Sequence, residues 1–200
     1  MKYTRDTFAL KYTSGGDAVP ENCHSMITYR EALLADADAI AALHARSWQQ
    51  HYRGILRDAY LDREVEEDRR VVWHERFQHP KPTQYVVVAE EEGVINGFAC
   101  TYAQHDPQWG ALLDNLHVSP HWQGRGVGRA LMQASAQWVK QQEKEEGLYL
   151  WVFEKNTAAR AFYDSVGGTH QERATVDNPD GGQGVVFRYV WPDVTSLINE

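Results

Sequence analysis

From Ile27 onward the apolar residues recur with two different periods, and the points where the period changes divide the chain into elements. A short strand around Ile27 to Arg30 leads to Asp36, an N-cap candidate, after which Ile40, Leu43, His44, Ser47 and Trp48 fall at helical spacing. A second helix is predicted from about Asp58, with Leu61, Val65, Val72, Trp73 and Phe77 on its inner face, and it must stop before Pro80 and Pro82. Gln84 to Glu90 is rich in β-branched residues, Glu91-Glu92-Gly93 reads as a hairpin turn, and Val94 to Gln104 supplies the partner strand.

After Asp106-Pro107 a further strand runs from Trp109 to Val118, and a glycine-rich turn then opens directly into a helix. That helix places Val127, Ala130, Leu131, Ala134 and Trp138 on one face, continues into the polar run Gln141 to Glu146, and is closed by Gly147. Leu148 to Phe153 is apolar on both faces, as a strand covered on both sides should be. Asn156 caps a helix bearing Ala159, Phe162, Tyr163 and Val166, which ends at Gly167-Gly168. Thr169 to Val176 and Val185 to Trp191 bracket the turn-rich Asp177 to Gly182, a hairpin with a long loop.

Residues 1 to 25 lack this periodicity and carry turn formers such as Ser14-Gly15-Gly16-Asp17, so they read as an extension, with one domain over 26–195 and a short tail over 196–200. The chain of 200 residues, 42% hydrophobic and 24% charged, has ordinary globular composition. A net charge of −8 argues against broad attachment to nucleic acid or anionic lipid, so an anionic ligand must be held locally. Two cysteines, Cys23 and Cys100, make no disulfide framework. The polar N-terminus and the lack of a membrane-length apolar run make the cytoplasm the expected compartment.

The turn Gln123-Gly124-Arg125-Gly126-Val127-Gly128-Arg129 carries the most specific chemistry. Glycines delivered by a strand to a helix N-terminus leave backbone N–H groups clustered where the helix dipole is positive, which makes an anion cradle. A nucleotide P-loop needs Lys-Ser/Thr after its last glycine, and here Arg129-Ala130 follows Gly128. A dinucleotide fingerprint needs a different glycine spacing and an acidic residue closing the next strand.

The sequence from Gln123 to Gly128 resembles the Arg/Gln-x-x-Gly-x-Gly/Ala signature of the GNAT superfamily of N-acetyltransferases. Leu116 to Pro120 is similar to that family's preceding strand and proline, and Trp151 to Gly168, with Asn156, Arg160, Phe162, Tyr163 and Gly167, to its downstream strand and helix. Ser47 to Leu56 resembles a segment of its small bacterial members, so the likeness covers roughly residues 26 to 191. It implies a mixed α/β fold with a central, mostly antiparallel sheet, one splayed parallel strand pair and helices on both faces.

The resemblance also implies acetyl-CoA as co-substrate, with its pyrophosphate at Gln123, Gly124, Arg125, Gly126, Val127, Gly128 and Arg129. Leu116, His117 and Val118 line the thioester arm, the Leu116 and Val118 backbones touching pantetheine and acetyl group, and Asn156 bonds the pantetheine. Asn156 is equally an ordinary N-cap. Tyr163 matches the family's leaving-group acid, and it also lies on the apolar stripe of its helix, where a core tyrosine would sit. Asp114 is the candidate general base; where many members carry a glutamate this chain has Leu112, and His117 and Glu154 are weaker candidates. Trp48 and Tyr52 fall on the acceptor side, and equally fit core residues four apart on a helix; the loop from Asp177 to Gly184 is expected to close the opposite wall, and aromatic and acidic walls suit a cationic amine.

The expected acceptor is a small-molecule or peptide amine, with no metal, no nucleic acid, no membrane, and a monomer or homodimer as the assembly. The nine histidines show no metal-binding spacing, and Cys100 has no evident partner to activate it as a nucleophile. The alternative from another class is a non-catalytic acyl-CoA sensor that keeps the cradle and transfers nothing.

Overall fold

The computed structural model describes residues 27–142 and 147–199. The proposed extension over 1 to 25 lies outside them, as does most of the polar run before Gly147. Seven strands form one sheet in the order β1-β2-β3-β4-β5-β7-β6. They are β1 (Thr28–Glu31), β2 (Gln84–Glu91), β3 (Val94–Asp106), β4 (Gly110–Val118), β5 (Leu148–Phe153), β6 (Thr169–Asp177) and β7 (Gln183–Trp191). Every neighbouring pair is antiparallel except β4 and β5, which run parallel. The mixed fold with one parallel pair is therefore what the chain adopts.

The pleat of β2 and β3 sorts the helices. Val86, Val88, Phe98 and Cys100 face α1 (Ala37–His51) and α3 (Val65–Gln78), where Ile40, Leu43 and Trp73 complete a core. Val87, Ala89 and Ala99 face α4 (Val127–Lys140), whose Leu131, Met132, Ala136 and Val139 are fully buried. α5 (Thr157–Ser165) and α6 (Thr195–Ile198) pack on this second face, with Tyr163 and Leu197 in the same core. Leu197 thus carries the apolar core into residues that the sequence reading gives to a tail.

Three local features depart from the pattern. The helix expected from Asp58 to Phe77 breaks at Glu64, whose φ of −116° separates α2 (Asp58–Arg63) from α3. No glycine or proline marks the break, and the Tyr60 hydroxyl bridges it by donating to Asp68. The inner face of α4 centres on Leu131, Met132, Ser135 and Val139, while Ala134 and Trp138 lie at its margin, Trp138 stacked on Tyr85 at 5.0 Å. Asp36 stands at the N-cap of α1, but its carboxylate accepts from the Leu33 N–H at 2.7 Å and from Arg30 instead of capping that helix. The β2–β3 hairpin turns as expected, through Glu92 (φ 51°) and Gly93 (φ 78°), the left-handed pair such a tight turn requires.

Because α4 is anchored through residues without solvent exposure, Leu131→Ala is expected to lower unfolding free energy by about 3 kcal/mol in urea denaturation. An unchanged midpoint and slope would contradict this placement of the core.

Candidate active site

The parallel ladder between β4 and β5 lasts only two pairs, Ala111 with Leu148 and Leu112 with Tyr149. Beyond them the strands part, and a cleft of about 930 Å³ opens between Leu113–Val118 and Leu150–Phe153. On the other edge of β4 a register shift against β3 pairs Thr101 with Leu113 and Cys100 with Asn115, leaving Asp114 as the bulged residue. A bulge bends its strand and re-aims side chains. Here it lets Asp114 and Asn115 both reach Arg76 on α3, at 2.8 Å each, while Leu113, Leu116 and Val118 stay on the α4 side.

One end of the cleft is the glycine turn. Gly124 (φ +73°) and Gly126 (φ +81°) take left-handed backbone that side chains disfavour, and Gly126 caps α4 without offering a side chain to the helix's first N–H groups. Gly128 lies where an added Cβ would come 3.4 Å from Phe162, so its absence lets α4 and α5 approach closely. Gln123 donates to the Val118 carbonyl at 3.0 Å and ties the turn back to β4. These features suit a phosphate group held by backbone donors. Gln123, Gly124, Gly126, Gly128, Arg129 and Asn156 all line the cleft. Arg125 and Val127 do not: Arg125 stacks on Trp122 at 4.8 Å, and the Val127 side chain is buried in the core.

Asn156 caps α5 by accepting from the Ala159 N–H at 3.2 Å and lines the cleft as well. Tyr163 is likewise doubly placed, packed against Phe162, Tyr189 and Trp191 while forming part of the cleft wall. Burial, with Tyr52 nearby, raises its pKa, so it is protonated at neutral pH. Tyr52 packs between Trp48 and Phe153, and burial pushes its hydroxyl up to about 12.

The opposite end holds Ser47, Trp48, His51 and Tyr52 of the α1 region with Arg69 and Arg76 of α3. The two arginines are absent from the sequence reading, since charges on a helix ordinarily read as a solvated face. Their spacing about Trp73 was the available signal, because Arg69, Trp73 and Arg76 share one face of a helix. Asp114 is the one carboxylate lining the cleft among the described residues. The acidic wall expected from the hairpin loop does not form: only Pro179 lines the cleft, and Asp180 turns away to accept from the Arg57 and Gly182 N–H groups at 2.6 and 3.0 Å.

Two imidazoles pack against each other here, and of the pair His117 lines the cleft. His117 on β4 bonds the Ser47 hydroxyl at 2.8 Å and lies 4.5 Å from the His44 ring. Trp73 donates its indole N–H to His44 Nδ1 at 3.0 Å, which puts the proton of the neutral ring on Nε2. Burial lowers both pKa values, that of His117 to about 3, so neither serves as a base near neutrality. Burial also pushes the Cys100 thiol up to about 12, leaving it inert. Among the described residues no group of three or more His, Cys, Asp or Glu is arranged to hold a metal ion, and no helix is long and apolar enough to cross a membrane.

The buried imidazoles make stability depend on pH. Unfolding frees them to protonate near their ordinary value of about 6.5, so the folded state binds fewer protons below it. Their contribution is fully present above about 6.5 and is lost as the pH falls, until His117 itself protonates near 3. Between about pH 7 and about pH 5.5, urea denaturation should show a loss on the order of 1 kcal/mol per imidazole. Equal stability at the two pH values would show that these rings are not held neutral.

Comparisons with known proteins agree with this fold. The fold matches the PaiA N-acetyltransferase of Thermoplasma acidophilum, solved in complex with coenzyme A, with a TM-score of 0.61 and 17% identity over 83% of this chain and 99% of that one. It matches YncA from Salmonella typhimurium, solved with its cofactor acetyl-CoA, with a TM-score of 0.61 and 21% identity over 88% and 96%. In sequence, the chain is 30% identical over 81 residues to the "Probable spermine N(1)-acetyltransferase" of Bacillus subtilis subsp. natto; the match spans 38% of this chain and only 53% of that relative's length. The sequence model of the Acetyltransferase (GNAT) family matches residues 42–167, well over half of the chain, and the protein belongs to that family.

Proposed function

We propose that the protein is an N-acetyltransferase that moves an acetyl group from acetyl-CoA directly to a primary amine within a ternary complex. The observation that carries this reading is the single cleft at the parting of β4 and β5, lined by a glycine cradle at one end and an aromatic, arginine-bearing wall at the other. A pyrophosphate fits the cradle because Gly124 and Gly126 hold left-handed backbone beside the start of α4, with Arg129 adding charge at the rim. Asn156 and the edges of Leu116, His117 and Val118 border the path from there to the parting of the strands.

Acetyl-CoA supplies an activated acetyl thioester. The amine nitrogen forms a bond to the acetyl carbon, the carbon–sulfur bond breaks, the amine loses a proton and the sulfur gains one. Asp114, oriented by Arg76, takes the amine's proton directly or through water. Tyr163, protonated at neutral pH, gives its proton to the departing sulfur and regains one from solvent. Where β4 and β5 have parted, backbone groups of β4 are free of that ladder and available to the developing oxyanion. Holding both reactants in one cleft supplies much of the remaining acceleration.

Release of free coenzyme A thiol across a panel of amines tests the reading. Tyr163→Phe is expected to lower kcat by about 10²-fold while the Kd for acetyl-CoA changes by less than about twofold. An unchanged kcat would remove Tyr163 from the chemistry. Gly126→Val forces a branched side chain into φ +81°, and acetyl-CoA affinity should drop by about tenfold or more. Undiminished affinity in calorimetry would relocate the cofactor. Tight acetyl-CoA binding with no thiol release from any amine would favour the non-catalytic sensor.

A further inference from the structure

On the reading that this cleft transfers an acetyl group, the wall at its acceptor end narrows the class of amine. Trp48, Tyr52, Trp151 and Phe153 line that wall, brought together from distant segments of the chain. Trp48 and Tyr52 lie one turn apart at the end of the α1 region, their ring centres separated by 5.3 Å. Phe153 on β5 meets the Tyr52 ring edge-on at 5.0 Å, and Trp151, two residues earlier, shares its side of the strand. The alternate residues Leu148, Leu150 and Val152 belong to the core on the other face. Tyr60 and Leu61, against which Trp48, Tyr52 and Phe153 pack, are buried outright, whereas all four cleft rings are only partly buried. Their open surface lies along the cleft and gains by being covered.

The charges around the wall limit what covers it. Asp114 is the one carboxylate lining the cleft among the described residues, and Arg76 already holds it at 2.8 Å. Arg69 is paired with Asp68, also at 2.8 Å. One amine nitrogen has a place at Asp114, but every further ammonium of a polyamine would leave water without a carboxylate to meet it. The indoles offer such a cation no substitute, because an arginine already lies over each, Arg69 at 4.3 Å from the Trp48 ring centre and Arg188 at 4.5 Å from that of Trp151. The remaining ring surface suits a flat, uncharged group, and an aromatic ring in offset or edge-on contact satisfies it better than a saturated one.

The nitrogen and the wall are placed for one molecule to reach both. Asp114 on β4 and Phe153 on β5 belong to the two strands that border the gap, and both reach helices on the same side of the sheet, Asp114 through Arg76 of α3 and Phe153 through Tyr52 at the end of α1.

We propose that the acceptor is an arylalkylamine: a single primary amine on a short alkyl arm, its ring seated against Trp48, Tyr52, Trp151 and Phe153 while the nitrogen faces Asp114. These four rings are then the specificity-determining residues.

The test compares phenethylamine with cyclohexylethylamine, which keeps the amine, the arm and the bulk and removes only the aromatic character, and with spermine. Thiol release by the wild-type protein should favour phenethylamine over its saturated counterpart by about fivefold in kcat/KM, with spermine below both. Trp151→Leu should narrow that preference, mainly by raising KM for phenethylamine. Should Trp151→Leu fail to fold, Phe153→Leu removes a ring from the same wall and should narrow it as well. Equal rates for the phenyl and cyclohexyl compounds, a preference for spermine, or a preference unmoved in a folded variant would overturn the inference while leaving the acetyltransferase reading intact. Thiol release from no amine would overturn that reading instead. Calorimetry of the two ring compounds on the coenzyme A-bound protein then decides the inference alone, tighter binding of phenethylamine supporting it and equal or absent binding ending it.

Discussion

The early parting of β4 and β5 is the constraint on which the site depends. Each strand is secured on its far side by a long antiparallel partner, β4 by β3 and β5 by β7, so the two can separate without losing their place in the sheet. The bulge at Asp114 falls where the parallel ladder has just ended, and the bend it introduces carries β4 away from its neighbour. A straight β4 would continue the ladder and close the cleft. The same extra residue resets the pleat, keeping Leu116 and Val118 on the α4 core while turning Asp114 and Asn115 to Arg76.

The interior around that opening is kept electrically quiet. His44 and His117 are neutral through burial, Tyr52 and Tyr163 hold their protons, and Cys100 is a thiol. Charge enters mainly as pairs, Arg76 with Asp114 and Arg69 with Asp68. In a site of low dielectric, the few donors left unpaired act strongly on an incoming group.

Much of the fold was legible because its signals are local. Runs of β-branched and apolar residues located β2, β3, β5 and β7, Gly93 marked a hairpin, and Asn156 marked the start of α5. The glycine turn was legible for the same reason, since positive φ and an open helix start need particular residues at fixed spacing. What the sequence hid depends on contacts between distant segments. The break at Glu64 carries no glycine or proline, and it is set by how Tyr60 and Leu61 pack with Leu56 while Trp73 packs under α1. The bulge at Asp114 is a property of the β3–β4 register, which one strand's pattern cannot display. Arg69 and Arg76 look like solvated helix charges until α1 and β4 are laid against them. Asp180 looks like an acidic wall until the Arg57 backbone claims it.

The most direct test of the central claim is a crystal structure of the protein with acetyl-CoA. The pyrophosphate is expected on the backbone N–H groups between Gly124 and Gly128, and the thioester between Leu113–Val118 and Leu150–Phe153, near Tyr163. A cofactor bound elsewhere, or a β4–β5 ladder continuous past Leu112 and Tyr149, would contradict it.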